Sequence, residues 1–199
     1  MSAAVSLAGR VDAVVIGASA GGVEALMALL PPLAPTFGVP ILIVLHVPRD
    51  RPSILADIFA RKCQLPVFEA QDKELVRSGT VYFAPPDYHL LIDEGPQLAL
   101  SADELVHHSR PSIDVLFESA IDVYGARLLG IVLTGANEDG AEGLAAIHAA
   151  GGITMIQQPD TAQARKMVVS ALHRNPGSEV LDLPGIAARL RTLEERAKV

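Results

Sequence analysis

Short runs of consecutive apolar residues alternate along the chain with stretches in which apolar residues recur every three or four positions. Five consecutive apolar residues at 41–45 are typical of a strand covered on both faces, and a 3.6-residue apolar period follows the Pro111-Ser112 pair. The pattern predicts strands at 13–16, 41–45, 66–68, 80–83, 128–133, 153–156 and 180–183. It predicts helices at 23–30, 52–62, 113–124 and 139–150, and two more that begin near Asp160 and Pro184. Asp160 is expected to cap its helix, with Gln163 in the reciprocal position.

One segment departs from this alternation. Residues 88–92 and 97–100 flank the turn sequence Asp-Glu-Gly-Pro at 93–96, which predicts an antiparallel hairpin. Elsewhere, strands that alternate with helices imply βαβ units with right-handed crossovers. We therefore predict one α/β domain over residues 1–199, with a core of about 12–185. Its single doubly wound, mostly parallel sheet should carry helices on both faces and one antiparallel hairpin.

Composition narrows the possible function classes. The 199 residues are 50% hydrophobic and the mean hydropathy is +0.33, values of a well-buried globular chain. A net charge of −7, with no more than two adjacent Lys or Arg residues, disfavours nucleic acid or an anionic membrane surface as the main partner. The single cysteine, Cys63, excludes an internal disulfide and favours a reducing, cytosolic location. No signal peptide and no apolar run of the ~20 residues needed for membrane insertion are present.

Ser19 lies in a glycine-rich turn between the first predicted strand and the first predicted helix. Gly17 and Gly21 flank it in the Gly-x-Ser-x-Gly pattern of a nucleophile elbow, a sharp and strained turn in which a Cβ at either flank would clash. Such a turn places the hydroxyl at the carboxyl edge of the sheet and directs backbone N–H groups toward developing negative charge. On its own, the pentapeptide is also compatible with a helix cap or a phosphate-binding loop.

Two further strands end in side chains that complement a serine nucleophile. His46 directly ends the strand at 41–45, and Asp139 follows the strand at 128–133. Because ligands of doubly wound sheets bind outside the carboxyl ends of the strands, we expect these groups to meet Ser19. An imidazole is the usual base for a serine hydroxyl, and a carboxylate fixes the imidazole tautomer. The three strand ends predict a Ser-His-Asp triad, although Asp139 alone is also compatible with a cap of the next helix.

Other sites receive less support from the sequence. A dinucleotide-binding loop is disfavoured because Ser19 occupies the place of the second glycine and because His46, not an acidic residue, ends the second strand. His89 is expected at the rim of the site. His107 and His108 are expected in a solvated loop, and their spacing matches no common metal motif, so a metal has little support.

Five segments, in order and at compatible spacing, resemble the catalytic domain of the CheB chemoreceptor methylesterases. They are IGASAGGVE at 16–24, LHVP at 45–48, APPDYHLL at 84–91, RPSIDVLF at 110–117 and LTGANEDGA at 133–141. The resemblance covers about residues 12–185. It implies a doubly wound α/β domain with its catalytic triad at the carboxyl edge of the sheet.

The resemblance also implies an activity and assigns site residues. The implied nucleophile is Ser19, the histidine is His46 and the aspartate is Asp139. The implied reaction is hydrolysis of glutamate γ-methyl esters on the cytoplasmic helices of methyl-accepting chemoreceptors, without a cofactor, and related members also deamidate receptor glutamines. The Ala20 N–H, next after the nucleophile, is the first expected oxyanion donor, and the resemblance implies a second near Ala136.

The chain departs from the family pattern beside the aspartate. Asn137-Glu138 replaces a pair such as Gly-Asn, Ala136 stands where methionine is common, and Lys-Met-Val at 166–168 replaces Gly-Met-Pro. Gly135, Asn137 and Glu138 are expected at the site rim, against substrate. These departures motivate an alternative, a non-catalytic regulatory binding module on the same fold.

The N-terminal receiver domain that is usual in the family has no counterpart in the 199 residues. The chain is therefore expected to be either a stand-alone esterase or an excised catalytic part. Without a receiver, phosphorylation of this chain cannot relieve inhibition in cis, which leaves room for a separate regulator that acts in trans.

Overall fold

The computed structural model describes residues 6–47 and 53–194, which form a seven-stranded parallel sheet, a separate antiparallel strand pair and six α-helices. The strands of the large sheet are β1 (Ala13–Ala18), β2 (Ile41–Leu45), β3 (Val67–Glu69), β4 (Val81–Phe83), β7 (Leu128–Val132), β8 (Ile153–Gln157) and β9 (Glu179–Leu181). The pair consists of β5 (His89–Asp93) and β6 (Gln97–Ser101). The helices are α1 (Gly22–Leu29), α2 (Leu55–Ala60), α3 (Ile113–Tyr124), α4 (Ala141–Ala149), α5 (Lys166–Arg174) and α6 (Leu183–Arg191).

The strand order places the predicted site residues at one point of the sheet. The order is β3-β4-β2-β1-β7-β8-β9, so the chain runs outward from β1 on one side and returns to β7 on the other. The boundary between β1 and β7 is the topological switch point, where doubly wound sheets bind their ligands. Ala18 pairs with Leu45 and Gly17 with Val132, so the carboxyl ends of β1, β2 and β7 lie side by side.

Two hydrophobic cores cover the two faces of the sheet. In β1, Val14 and Ile16 pack into the core beneath α1 and α6, whereas Ala13 and Val15 pack into the core beneath α3, α4 and α5. Successive side chains of a strand point to opposite faces, so every residue of β1 is buried and the strand reads as a continuous apolar run. The doubly wound α/β sheet and the single hairpin are confirmed.

The cap predicted at Asp160 is wrong. Residues Pro159–Thr161 form one turn of 3-10 helix, and α5 begins only at Lys166. The Asp160 carboxylate pairs with the Arg165 guanidinium and is not bound to a helix N–H. The helix predicted from residue 52 begins at Leu55, and residue 52 itself lies outside the described residues. No helix in the described ranges is long and apolar enough to cross a membrane.

Candidate active site

Ser19 follows the last residue of β1 and connects that strand to α1. Its N–H donates to the Thr134 carbonyl at 2.9 Å, which extends the β1–β7 pairing by one step. Its own carbonyl accepts the Gly22 N–H at 2.8 Å, which closes the turn into the helix. The residue is half-buried, and Ala20 after it is exposed. The serine therefore lies at the switch point, on backbone that is held from both sides.

The glycines around Ser19 are required by close contacts more than by strain at the serine. A Cβ on Gly17 would lie 2.3 Å from Ile113 Cγ2, and one on Gly21 would lie 2.6 Å from Gln163 Oε1. Gly21 also has a φ of 79°, a conformation that favours glycine. Ser19 is not among the described non-glycine residues with positive φ. The strained serine of a nucleophile elbow is therefore not found, and the left-handed conformation of this turn falls on Gly21.

His46 is the neighbour of Ser19 across the sheet. Ala18 and Leu45 are the last paired residues of β1 and β2, and the His46 N–H donates to the Ala18 carbonyl at 3.1 Å. Ser19 directly follows β1 and His46 directly follows β2, so the two residues are neighbours at the edge of the sheet. On its other side, the His46 Nε2 lies 2.8 Å from Asp139 Oδ2. The structure thus brings the three predicted side chains to one edge of the sheet, and it joins two of them by a hydrogen bond.

The Asp139 carboxylate is fully buried and accepts four hydrogen bonds. Oδ1 accepts from the Ser112 hydroxyl at 2.8 Å and from the Asp114 N–H at 3.0 Å. Oδ2 accepts from the Ile113 N–H at 2.7 Å and from His46 Nε2. Two donors are thus backbone N–H groups of the first turn of α3, so this carboxylate caps the helix in place of the Ser112 side chain.

These contacts keep Asp139 ionised in spite of its burial. Burial alone would raise the pKa of the carboxyl, but the hydrogen bond from His46 and those from the Ile113 and Asp114 N–H groups outweigh it and lower the pKa. An ionised carboxylate can only accept hydrogen bonds, so His46 Nε2 must carry the proton. The lone pair of the imidazole is then on Nδ1, which makes Nδ1 the basic nitrogen of this site.

No hydrogen bond joins Ser19 Oγ to His46 in the described part of the chain. The group that approaches His46 Nδ1 is the Asn137 side-chain amide, with Nδ2 at 3.4 Å. Asn137 Nδ2 is also 3.4 Å from Ser109 Oγ, so both contacts of this half-buried amide are long. Catalytic hydrogen bonds are often loose before substrate binds. The basic nitrogen therefore makes no short hydrogen bond within the described residues.

His89 lies beneath the site and not at its rim as predicted. Its side chain is 2% exposed, and both ring nitrogens have partners. Nε2 donates to the Glu104 carbonyl at 2.9 Å, and Nδ1 accepts the Ser112 N–H at 3.1 Å. His89 therefore holds the backbone of Ser112, whose hydroxyl in turn donates to Asp139. Ser112 itself was not predicted as a site residue, because its position at the start of a helix signals only a cap.

Asp114 is a second buried carboxyl beside Asp139. Its Oδ1 accepts the Gly143 N–H at 2.7 Å, which ties α3 to the first turn of α4. His107 Nε2 approaches Oδ2 at 3.3 Å, but in an orientation that makes no hydrogen bond, so Oδ2 has no such partner among the described residues. Burial, reinforced by the neighbouring Asp139 charge, raises the pKa of Asp114 to about 6.

The loop between β7 and Asp139 differs in exposure from residue to residue. Gly135 is buried, its N–H donates to the Ala164 carbonyl at 3.0 Å, and its carbonyl accepts the Met167 N–H at 3.0 Å. It therefore lies below the predicted rim position and offers substrate no free donor. Ala136 and Glu138 are exposed.

The two predicted oxyanion donors are the backbone N–H groups of Ala20 and Ala136. Neither the Ala20 N–H nor the Ala136 N–H donates to another group within the described residues. Beside His46 the surface forms a small cleft of about 90 Å³, which is lined by Val47, His108, Ser109, Arg110 and Pro111.

The remaining candidates do not join the site. Burial raises the pKa of the Cys63 thiol to about 11, which favours the packing role over a reactive one. Within 6–47 and 53–194, no group of three His, Cys, Asp or Glu side chains is arranged to hold a metal ion.

Comparisons with known proteins identify the family. A family model described as CheB methylesterase matches residues 14–190. A putative protein-glutamate methylesterase/protein-glutamine glutaminase of Leptospira interrogans is 44% identical over 184 residues, which cover 92% of this chain and 95% of the relative. Protein-glutamate methylesterase/protein-glutamine glutaminase 2 of Anaeromyxobacter dehalogenans is 41% identical over 191 residues, which cover 96% of this chain but 56% of the relative. The chain thus spans nearly all of one relative and about half of the other.

A solved structure supports the same assignment. The Thermotoga maritima CheB methylesterase catalytic domain superposes with a TM-score of 0.87 at 30% identity, covering 92% of this chain and 98% of that domain. The chain therefore belongs to the CheB methylesterase family.

Proposed function

We propose that this chain is a protein-glutamate methylesterase, a serine carboxylesterase that hydrolyses glutamate γ-methyl esters on chemoreceptors in chemotaxis-type signalling. The observation that carries the proposal is the buried, ionised Asp139 bound to His46 Nε2, with Ser19 next to His46 at the switch point. Relatives that cover nearly the whole chain are named for this activity.

Acylation begins when Ser19 Oγ turns toward His46 Nδ1 and gives up its proton as it attacks the ester carbonyl. Asp139 stabilises the imidazolium that forms, because its carboxylate is already in place against Nε2. The Ala20 and Ala136 N–H groups bind the oxyanion of the tetrahedral intermediate, and a donor of this kind contributes about 3 kcal/mol. His46 then returns the proton to the methoxide oxygen, and methanol leaves.

Deacylation repeats the same steps with water as the nucleophile. His46 Nδ1 removes a proton from water, which attacks the acyl-Ser19 ester, and the receptor leaves with its glutamate side chain restored as Ser19 recovers its proton. A glutamine side chain enters the same cycle with ammonia as its leaving group. This accounts for the second activity in the names of the relatives.

The partner of this site is the cytoplasmic helix region of a methyl-accepting chemoreceptor, and we infer that the chain acts in the cytoplasm. The shallow surface beside His46 supports a protein-borne substrate. The proposed reaction needs no cofactor, because Ser19, His46 and Asp139 supply its nucleophile, its base and the supporting carboxylate.

Methanol release from a methyl-esterified receptor fragment tests the proposal. Ser19→Ala should lower the rate by about a million-fold, the cost of removing a triad serine. The matched control is Ser78→Ala, because Ser78 is exposed in the turn before β4, at the opposite edge of the sheet. Equal rates for wild type and Ser19→Ala would contradict the proposal.

The structure adds one observation in favour of the second candidate, a non-catalytic regulatory binding module on the same fold: no hydrogen bond joins Ser19 to His46 among the described residues. The same assay separates the two functions. A binding module retains the receptor fragment but releases no methanol, whereas the esterase turns over.

A further inference from the structure

Thr134 is buried between the two backbone segments that flank the proposed oxyanion site. It is 1% exposed and follows β7 at the switch point. Its carbonyl accepts the Ser19 N–H at 2.9 Å, and its N–H donates to the Gln157 Oε1 at 2.9 Å. Its hydroxyl accepts the Ala164 N–H at 2.9 Å and has two acceptors within reach of its own proton, the Ala20 carbonyl at 2.9 Å and the Ala164 carbonyl at 3.2 Å. The shorter contact assigns the proton to the Ala20 carbonyl. No step of the proposed reaction uses this residue.

The contacts of Thr134 hold the backbone on both sides of the Ala20 N–H. That N–H belongs to the peptide plane between Ser19 and Ala20. The preceding plane is held by the bond from the Ser19 N–H to the Thr134 carbonyl, and the following plane by the bond from the Thr134 hydroxyl to the Ala20 carbonyl. The plane between them is held through the Ser19 carbonyl, which accepts the Gly22 N–H at 2.8 Å, so the Thr134 contacts anchor the two planes that flank the donor.

The same hydroxyl reaches the segment that carries the second donor. The Ala164 N–H binds the Thr134 hydroxyl, and the Ala164 carbonyl accepts the Gly135 N–H at 3.0 Å. The Gly135 carbonyl accepts the Met167 N–H at 3.0 Å. That carbonyl shares a peptide plane with the Ala136 N–H, which points the opposite way in a trans peptide. Anchoring residues 164–167 therefore orients the Ala136 donor.

We propose that the Thr134 hydroxyl is a positioning group for the oxyanion site, holding the backbone on both sides so that the Ala20 and Ala136 N–H groups converge. This inference rests on the proposed function. Donors that are set in advance stabilise the oxyanion without reorganisation during the reaction, and small misplacements of reacting groups reduce rates strongly. The hydroxyl acts through the backbone and does not touch the substrate.

Thr134→Val and Thr134→Ser test the proposal, because valine keeps the shape of threonine and serine keeps its hydroxyl. In the methanol-release assay, we expect Thr134→Val to lower kcat about 10- to 100-fold with KM nearly unchanged, since the lost stabilisation belongs to the transition state. Thr134→Ser should stay within about threefold of wild type. The pH profile of kcat/KM should be the same in all three, because the His46–Asp139 pair is untouched.

Thr154→Val is the matched control for loss of a buried threonine hydroxyl. Thr154 lies in β8, 4% exposed, and its hydroxyl contacts Asn175 and Ser178, outside the site. This variant should lose stability and keep its kcat. Thr134→Cys is the second test variant in case valine prevents folding. The thiol is only a weak donor, so its kcat should lie clearly below that of Thr134→Ser.

The possible results are distinguishable. Three results would overturn the assignment of Thr134. The first is a folded Thr134→Val enzyme with the kcat of wild type, and the second is a Thr134→Cys enzyme with the kcat of Thr134→Ser. The third is a loss of kcat in Thr154→Val as large as that in Thr134→Val. A shifted pH profile would also overturn it, because the His46–Asp139 pair would then be the affected part. Wild-type activity no higher than that of Ser19→Ala would instead overturn the proposed function itself.

Discussion

Removal of the Ser112 hydroxyl should destabilise the protein in a pH-dependent way. The hydroxyl donates to Asp139 Oδ1 at 2.8 Å, and both residues are fully buried. A hydrogen bond to a charged group contributes about 1.5–3 kcal/mol. We therefore expect Ser112→Ala to lower the free energy of unfolding by about that amount at pH 7.

The pH dependence follows from the lowered pKa of Asp139. A carboxyl whose pKa is lower in the folded than in the unfolded state stabilises the fold above the unfolded value of about 4. That stabilisation disappears as the pH falls through the folded-state pKa. The Ser112 hydroxyl supplies part of it, so the difference between wild type and Ser112→Ala should be largest at neutral pH and should shrink in acid.

Urea unfolding followed by circular dichroism measures both effects. With a slope of about 2 kcal/mol per molar urea, the midpoint of Ser112→Ala should fall by roughly 1 M at pH 7. Ser119→Ala is the control, because the Ser119 hydroxyl lies on the same helix and makes uncharged contacts, to Ile92 N–H and the Leu116 carbonyl. A loss at Ser112 no larger than at Ser119, or one that persists unchanged in acid, would refute the reasoning.

Three more changes probe the site. Asp139→Asn should reduce kcat about 10⁴-fold, as loss of the triad carboxylate does in serine proteases, and a reduction of less than tenfold in methanol release would argue against the triad. Gly21→Ala should lower the free energy of unfolding, measured with urea, by at least about 1 kcal/mol more than Gly9→Ala does. Both glycines have positive φ, but only at Gly21 would the added Cβ collide with Gln163. Equal losses of stability would contradict this packing argument. Asp114 has a pKa raised to about 6, so the folded state binds its proton more tightly and stability should fall as pH rises from about 4 to 6. Asp114→Asn should abolish that fall, and a fall of unchanged size would assign it to other groups.

The fold was predictable because the sheet is buried on both faces. The five apolar residues of β2 and the apolar run of β1 face both cores, so each reads as an uninterrupted hydrophobic segment. Helix starts were less predictable. Asp160 has the sequence of a cap, but the side chain of Arg165 competes for its carboxylate, and α5 begins later.

The site was predictable only where topology alone determines it. Parallel strands bring their carboxyl ends to one edge, which is why Ser19, His46 and Asp139 could be grouped from the sequence. The contact from Ser112 spans 27 residues and depends on how α3 packs, so no local pattern signals it. The burial of His89 likewise depends on the packing of the hairpin against α3.

The central claim is that Ser19 is a nucleophile activated by the His46–Asp139 pair. A fluorophosphonate forms a stable adduct with an activated serine, and peptide mass spectrometry locates that adduct. We predict a single modified site at Ser19 in the wild type and a much slower modification in Asp139→Asn. An adduct on another residue, no adduct, or the same rate in Asp139→Asn would contradict the account.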